Sequence, residues 1–246
     1  MTDSVEFPED PGAVAAAEPE RRDGTDPVYA VGIGPGNPEY LTRRGARAIR
    51  EADVVVGFET VVEFVEDEIT GEALTCGYKD EPEVLAEFAD RIADGASGTA
   101  VLMGDPNHSG YQFVGKIESA VDAPVEVIPG ISSLQIAASR ARTPMEESTF
   151  VTLHKSGPIE ADLERLEADV GDGHLLVLPR PFDWMPERIA HRLLASGAPD
   201  RPALVCERLT HDDEAITHTS LSELAADVDS RAETAFSDLS VFVVRR

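Results

Sequence analysis

Hydrophobic and polar positions change period repeatedly over residues 28–140. Short apolar runs such as residues 54–56 predict buried strands, whereas Val84, Phe88 and Ile92 recur at the four-residue spacing of a helix. The predicted strands are 28–33, 54–56, 99–103 and 125–128, and the predicted helices are 39–51, 81–94, 111–120 and 132–140. Because strands alternate with helices, the pattern predicts a mostly parallel sheet covered on both faces.

The same alternation resumes after Arg142-Thr143-Pro144 and predicts a second α/β domain. Its strands are predicted at 150–153, 175–178, 203–206, 217–219 and 239–244, with helices at 159–168, 184–194 and 221–228. The last strands are compatible with antiparallel pairing, which favours a mixed sheet. We therefore predict two α/β domains, residues 27–143 and 144–246.

Residues 1–26 contain eight carboxylates, two arginines and few large apolar side chains. Such a segment buries too little apolar surface to offset its ordering entropy, so we predict a disordered acidic leader. It lacks the basic region and apolar stretch of a signal peptide. No apolar run along the chain approaches the length of a membrane span. These features favour a cytoplasmic protein without a membrane partner.

Charge and cysteine content narrow the classes of function. The 47 acidic residues outnumber the 21 lysines and arginines, for a formal net charge of −26. This excess opposes binding to nucleic acid, whose phosphates require cationic side chains. The acidic excess favours a protein from a halophile, whose cytoplasm is rich in salt. The alternative is an acidic protein from an ordinary cell. Cys76 and Cys206 form neither a metal-ligand spacing nor a disulfide framework, so we predict reduced core thiols and no protein-bound metal.

Three short loops follow predicted strands and carry the candidate chemistry. They are Gly32-Ile33-Gly34-Pro35-Gly36, Gly104-Asp105-Pro106 and Pro129-Gly130-Ile131-Ser132. Each has a simpler interpretation: a tight turn for the glycines, a capping role for Asp105, and a helix N-cap for Ser132 or Ser133. In a parallel sheet, however, all three loops open on one edge, where ligands bind in open α/β sheets.

In this order and at these distances, the three loops resemble the tetrapyrrole (precorrin) methylase family, whose members share GxGPGxxxxLT, GDP and PGIS/T segments. The resemblance runs from residue 28 to the last residue. Within the family it is strongest to the enzymes that methylate carbon 5 of precorrin-7 or cobalt-precorrin-7. The segments that carry this closer likeness are 132–140, 153–154, 209–214 and 236–241. The chain departs from the usual Gly-Phe-Tyr after the second loop, where it has residues 107–111.

The resemblance implies that S-adenosylmethionine is the methyl donor and lies in a cleft between the two domains, held largely by backbone groups. When the family's motifs are matched to this sequence one by one, the resemblance implies ten donor-binding residues. They are Pro35, Met103, Gly104, Asp105, His108, Ser132, Ser133, Leu178, Pro179 and Leu209. The resemblance also implies a homodimer. No domain for carbon-15 methylation and decarboxylation is attached, so we expect a separate enzyme to perform that step.

The sulfonium carbon of the donor is already electrophilic, so the protein mainly has to align it with the acceptor carbon and exclude water. Methylation of a ring carbon releases a proton, for which Asp105 and His108 are the candidate acceptors. A corrin precursor rich in carboxylates also requires local cations. The candidates are Arg43, Arg44, Lys79, Lys116, Arg140 and Lys155.

Several other functions stay open at this point. Enzymes of the same fold methylate other precorrin positions, the diphthamide precursor or ribosomal RNA, although the net charge disfavours RNA. A nucleotide-binding oxidoreductase or a non-catalytic binding module are the alternatives from different classes. The oxidoreductase is disfavoured because Asn37 follows Gly36 and the third glycine of a dinucleotide fingerprint is missing.

Overall fold

The computed structural model describes residues 5–17, 26–226, 228 and 234–246. The chain divides into two units, Met1–Ser132 and Ser133–Arg246. The sheet of the first unit consists of β1 (Val28–Gly32), β2 (Val54–Phe58), β3 (Glu72–Cys76), β4 (Gly98–Leu102) and β5 (Val125–Ile128). Its order is β3-β2-β4-β1-β5, and every pairing is parallel. The loops that follow these strands therefore all leave from one edge, here called the carboxyl edge of the first sheet.

Helices cover both faces of this sheet. They are α1 (Pro11–Ala16), α2 (Arg43–Glu51), α3 (Glu59–Glu63), α4 (Glu81–Ala93) and α5 (Tyr111–Ala120). Successive side chains of a strand point to opposite faces, so Val54 and Val56 join one buried cluster with Phe88, while Val55 joins another with Ile49. The prediction of a mostly parallel sheet with two covered faces is confirmed.

The second unit contains a mixed sheet, as predicted. Its strands are β6 (Ser148–Thr152), β7 (His174–Leu178), β8 (Pro202–Glu207), β9 (Ala215–Ser220) and β10 (Ser240–Val244), in the order β6-β7-β10-β8-β9. Its helices are α6 (Ser133–Ala141), α7 (Glu160–Asp169), α8 (Pro186–Ala195) and α9 (Leu221–Ala226). β10 is antiparallel to both β7 and β8, so β7 and β8 run in the same direction, parallel to β6.

The boundary between the units differs from the predicted one at residue 143. The structure divides the chain between Ser132 and Ser133, because α6 packs against β7 and β10 and so belongs with the second sheet. A strand–helix alternation cannot show this, since it indicates which segments are helical but not which sheet a helix covers.

Part of the acidic leader, residues 5–17, has a defined structure although the sequence predicts disorder there. Asp10 caps α1 by accepting a hydrogen bond from Ala13 N (3.1 Å), and the Tyr111 hydroxyl donates to Ala15 O (3.0 Å). The helix packs on α5, so it is held by tertiary contacts that its composition does not reveal. The rest of the predicted disorder, residues 1–4 and 18–25, lies outside the described residues. Within the described part of the chain, no helix has the length and apolarity needed to cross a membrane.

Candidate active site

The first two sequence loops are joined at the carboxyl edge of the first sheet. Ile33 N donates to Leu102 O (2.9 Å), which continues the β1–β4 pairing by one residue. Beyond it, Gly104 N donates to Gly34 O (2.8 Å) and Gly34 N donates to Gly104 O (3.2 Å). These two bonds pair the main chains of the loops where each has left its strand.

The third loop packs against the other two through their backbones. A Cβ atom built on Gly130 would lie 2.1 Å from Gly104 O and 2.7 Å from Gly32 O. A Cβ on Gly32 would lie 2.6 Å from both Gly104 O and Gly130 N. Contacts this short exclude any side chain, so glycine is required at both positions. The three loops therefore converge, as their positions after adjacent strands predict.

Three glycines in these loops adopt the left-handed conformation that disfavours side chains. The φ angles are +90° at Gly34, +128° at Gly36 and +67° at Gly104. At Gly104 an added Cβ would meet only Ser132 Cα, at the ordinary contact distance of 3.8 Å, so there is room for a small group over this buried main chain. A backbone-lined surface with this space fits a donor held mainly by main-chain groups, which is how S-adenosylmethionine is expected to bind.

Asp105 begins the π-helical turn Pro106–Gly110 and caps it. Its Oδ1 accepts hydrogen bonds from both the backbone N and the side-chain Nδ2 of Asn107, each at 2.8 Å. His108 N donates to Asp105 O (3.0 Å), which places the partly exposed His108 in the same turn. The capping interpretation of Asp105 is therefore confirmed. Asn107, which lies in the segment that departs from the family pattern, is the residue that fixes the carboxylate.

The first unit brings together most of the predicted donor-binding residues. Pro35 is buried next to Gly34, Met103 is partly exposed at the end of β4, and Ser132 is 2% exposed at the end of the third loop. Ser133 begins α6 and belongs to the second unit. The set that converges at the carboxyl edge of the first sheet is Pro35, Met103, Gly104, Asp105, His108 and Ser132.

The predicted residues of the second unit form a group of their own. Leu178 ends β7, Pro179 follows it, and Leu209 comes two residues after the end of β8. Because β7 and β8 run in the same direction, all three lie at one edge of the second sheet. This brings Leu178, Pro179 and Leu209 together within their unit, although they come from segments thirty residues apart.

Leu209 is held in a strained segment. It is buried between Arg208 and Thr210, which have φ angles of +45° and +74° although neither is glycine. Thr210 N donates to Glu214 Oε2 (2.7 Å), and Arg140 donates to both oxygens of Glu214, at 2.6 and 3.1 Å. Arg140 holds the pKa of the Glu214 carboxyl below its ordinary value, mainly through these hydrogen bonds.

Four of the candidate cations are engaged within the protein. Arg44 pairs with Glu126, and Arg140 with Glu214; Lys116 bonds Glu81 at 2.5 Å and Lys155 bonds Asp162 at 2.7 Å. Arg43 and Lys79 are exposed and make no ion pair with any residue that the structure describes. These two are therefore the cations of the set that are open to an anionic ligand.

Comparison with known proteins agrees with this geometry. Residues 27–225 match the family model for tetrapyrrole (corrin/porphyrin) methylases. The chain is 33% identical over 204 residues to the probable cobalt-precorrin-7 C(5)-methyltransferase of Methanocaldococcus jannaschii, covering 80% of this chain and 91% of that protein. It is 27% identical over 213 residues to the cobalt-factor III methyltransferase of Priestia megaterium, covering 80% of this chain but 39% of that longer protein.

A solved structure of a methyltransferase resembles most of the chain. The uroporphyrin-III C-methyl transferase from Thermus thermophilus, complexed with S-adenyl homocysteine, matches with a TM-score of 0.67 and 25% identity. The match covers 89% of this chain and 92% of that one. With the family model spanning most of the chain and its three loops converging on one sheet edge, the chain belongs to the tetrapyrrole (corrin/porphyrin) methylase family and is an S-adenosylmethionine-dependent methyltransferase.

Proposed function

We propose that this protein transfers the methyl group of S-adenosylmethionine to carbon 5 of precorrin-7 or cobalt-precorrin-7 in cobalamin biosynthesis. The observation that carries the donor half of the proposal is the convergence of three glycine loops at the carboxyl edge of the first sheet, with room for a small group over Gly104. The acceptor half is supported by the relative from Methanocaldococcus jannaschii, of whose length the match covers 91%. The sequence segments 132–140 and 236–241 point to the same acceptor.

The donor supplies an electrophilic methyl carbon when bound, so this chain's residues have to orient it and keep water away. Main-chain groups of the first and second loops are the proposed donor contacts, and Pro35, Met103 and Ser132 lie in or next to the three loops. Backbone groups suit this task because Gly34 and Gly104 already hold each other in place through two hydrogen bonds.

The proton released from the acceptor carbon passes, in this proposal, to His108. Asp105 accepts two hydrogen bonds from Asn107 at one oxygen, which suits a residue that holds the turn. Its carbonyl oxygen accepts from His108 N, so Asp105 positions the segment that carries the imidazole. A neutral imidazole is a suitable proton acceptor near neutral pH.

Two substitutions separate these roles. His108→Ala should lower kcat at saturating donor by about a hundredfold, within the usual contribution of a general base, whatever its effect on donor affinity. Asp105→Asn keeps the capping oxygen and removes the charge, so it should retain most of the activity. If both variants turn over at the wild-type rate with saturating donor, neither residue accepts the proton.

The acceptor is tested by incubating the protein with donor carrying a ¹³C-methyl group and a panel of corrin precursors, then locating the label by NMR. The proposal predicts a new methyl on carbon 5 of precorrin-7 or cobalt-precorrin-7. A methyl on another ring carbon would reject the carbon-5 assignment and leave the family assignment intact. Absence of transfer to every corrin precursor in the panel would reject the acceptor class.

A second candidate is methylation of a different precorrin position. It is favoured by the second loop, where residues 107–111 replace the usual Gly-Phe-Tyr, and by the likeness to a cobalt-factor III methyltransferase. The same NMR measurement distinguishes the two candidates, because each predicts a different labelled carbon.

A further inference from the structure

A second group of side chains lies at the carboxyl edge of the first sheet, on the outer strand. The turn that connects β3 to α4 is closed by Asp80, whose Oδ1 accepts a hydrogen bond from Gly77 N (2.7 Å). Tyr78 and Lys79 lie between these two residues and are therefore presented at the tip of the turn. Tyr78 is 85% exposed, an unusual environment for so large a ring.

Tyr78 ends a row of three aromatic rings along this edge. Its ring lies 5.0 Å from that of Phe58, and Phe58 lies 5.3 Å from Phe113, at tilted angles of 48° and 45°. Phe58 ends β2, and Phe113 lies in the first turn of α5, directly after the second loop. The row thus leads from α5 to the outer strand, and the buried Phe113 and the partly buried Phe58 support the exposed ring.

Lys79 differs from the other lysines of the chain. Lys116 and Lys155 each bond a carboxylate, whereas Lys79 is exposed and pairs with no acidic residue in the described ranges. The two carboxylates that follow it in sequence are engaged elsewhere: Asp80 with Gly77 N, and Glu81 with Lys116. In a chain of net charge −26, an unpaired cation beside an exposed aromatic ring is a distinct local feature.

The spacing of the sheet relates this group to the donor loops. β2 separates β3 from β4, so the end of β3 at Cys76 lies about 10 Å from the end of β4 at Leu102, the width of two strand spacings. The turn 77–80 and the second loop follow these two strand ends. A tetrapyrrole offers a flat apolar face and carboxylates around its rim, which are the chemical complements of Tyr78 and Lys79. A macrocycle whose reacting carbon lies over the second loop can extend to this turn.

We propose that Tyr78 and Lys79 form the outer acceptor-binding contact: the Tyr78 ring packs against the macrocycle, and the Lys79 ammonium pairs with a rim carboxylate. This inference rests on the proposed function, since it takes a corrin precursor as the occupant. In this proposal both residues determine the affinity for the acceptor and not the rate of methyl transfer. Neither residue contacts the donor.

The test compares Tyr78→Ala, Tyr78→Phe and Lys79→Ala with the wild-type protein. Arg165→Ala is the matched control, because it makes the same charge change at an exposed site on α7. Tyr78→Ala and Lys79→Ala should each raise the acceptor KM about tenfold, while kcat and the affinity for S-adenosylhomocysteine stay at wild-type values. Tyr78→Phe and Arg165→Ala should match the wild type. Retained S-adenosylhomocysteine binding also shows that each variant is folded.

The outcomes separate this inference from the proposed function. If wild-type protein methylates a corrin precursor and both alanine variants keep its acceptor KM, the Tyr78–Lys79 contact is wrong and the proposed function stands. If wild-type protein methylates no corrin precursor, the contact is tested with uroporphyrin III, a stable carboxylated tetrapyrrole, by the shift of its Soret band. Weaker binding by the two alanine variants then supports the contact. Equal binding, or no binding by the wild type, overturns it.

Discussion

Gly34 and Gly104 exchange two backbone hydrogen bonds, of 2.8 and 3.2 Å, although they are 70 residues apart in sequence. Both have positive φ angles, so each occupies a conformation that costs other residues free energy. The pairing makes two loops into one rigid surface beyond the end of the sheet. Gly130 approaches this surface from the third loop, and the proposed donor site includes all three glycines.

Gly104→Ala should weaken donor binding more than it destabilises the fold. The left-handed φ angle of +67° costs about 1 kcal/mol of stability for a non-glycine residue. The new Cβ points into space where it meets only Ser132 Cα, at 3.8 Å, so it occupies the surface proposed for the donor. We expect the Kd for S-adenosylhomocysteine to rise at least about tenfold, measured by calorimetry.

Gly95→Ala is the control for this substitution. Gly95 follows α4 with a φ angle of +96°, and its added Cβ would meet nothing within 4 Å. It should lose a similar amount of stability and bind S-adenosylhomocysteine as the wild type does. Equal donor affinities for the two variants would place the donor away from Gly104.

Gly130→Ala should behave differently, because its Cβ meets fixed backbone rather than open space. The 2.1 Å approach to Gly104 O forces the second and third loops apart. We expect a loss of about 2–3 kcal/mol in the free energy of unfolding, as for other overpacked sites, together with loss of donor binding. Denaturant titration measures the first and calorimetry the second. A stable variant with wild-type affinity would show that the loops do not need this close packing.

Glu214→Gln should lower stability in a pH-dependent way. Hydrogen bonds from Arg140 lower the pKa of Glu214 in the folded state, so the ionised carboxylate stabilises the protein above its ordinary pKa of 4.5. This stabilisation is lost as the pH falls through the lowered pKa of Glu214 in the folded state. We expect the variant to be about 1 kcal/mol less stable than the wild type at pH 7, and the difference to shrink toward pH 3. Urea denaturation at both pH values measures it.

The control for Glu214→Gln is Glu83→Gln, which removes the same charge from an exposed position on α4. Because the protein carries a large negative charge, this control measures the general effect of removing one carboxylate. If Glu214→Gln and Glu83→Gln change the free energy of unfolding equally at pH 7, the Arg140 contact contributes nothing.

The two cysteine thiols should be unreactive in the folded protein. Burial, with a smaller contribution from nearby carboxylates, raises the pKa of Cys76 and of Cys206 to about 12. Little thiolate is therefore present at pH 8. Both thiols are buried and form no disulfide, as the sequence predicts. Ellman's reagent should label neither thiol in native protein and both after unfolding in guanidinium chloride. Rapid labelling of native protein would contradict the burial of these residues.

High salt should stabilise this protein, as the halophilic interpretation requires. A net charge of −26 produces repulsion in dilute buffer, and salt screens it. We expect the Tm at pH 7 to rise by about 5 °C or more between dilute and molar potassium chloride. A Tm that stays constant over this range would argue against the halophilic interpretation.

The sequence predicts the convergence of the three glycine loops because their signals are local and coincide. Each glycine loop follows a strand, and adjacent parallel strands bring such loops to one edge. The sequence does not reveal β3, because four of its five residues are not buried and form no apolar run. Edge strands in general bury fewer side chains than central ones, and Tyr78 follows such a strand.

Tertiary contacts account for the other differences. α1 is six residues long, too short to be stable alone, and it lies so close to α5 that a Cβ on Gly115 would be 1.7 Å from Pro11 O. The role of Asn107 likewise depends on which way the Asp105 side chain turns. Composition and periodicity contain no information about either contact.

The most direct test of the central claim is a crystal structure of this protein with S-adenosylhomocysteine. The account predicts that the ligand lies at the carboxyl edge of the first sheet, in contact with the main chain of Gly104 and with the first and third loops. Ligand density elsewhere on the molecule, or these loops free of ligand at saturating concentration, would contradict it.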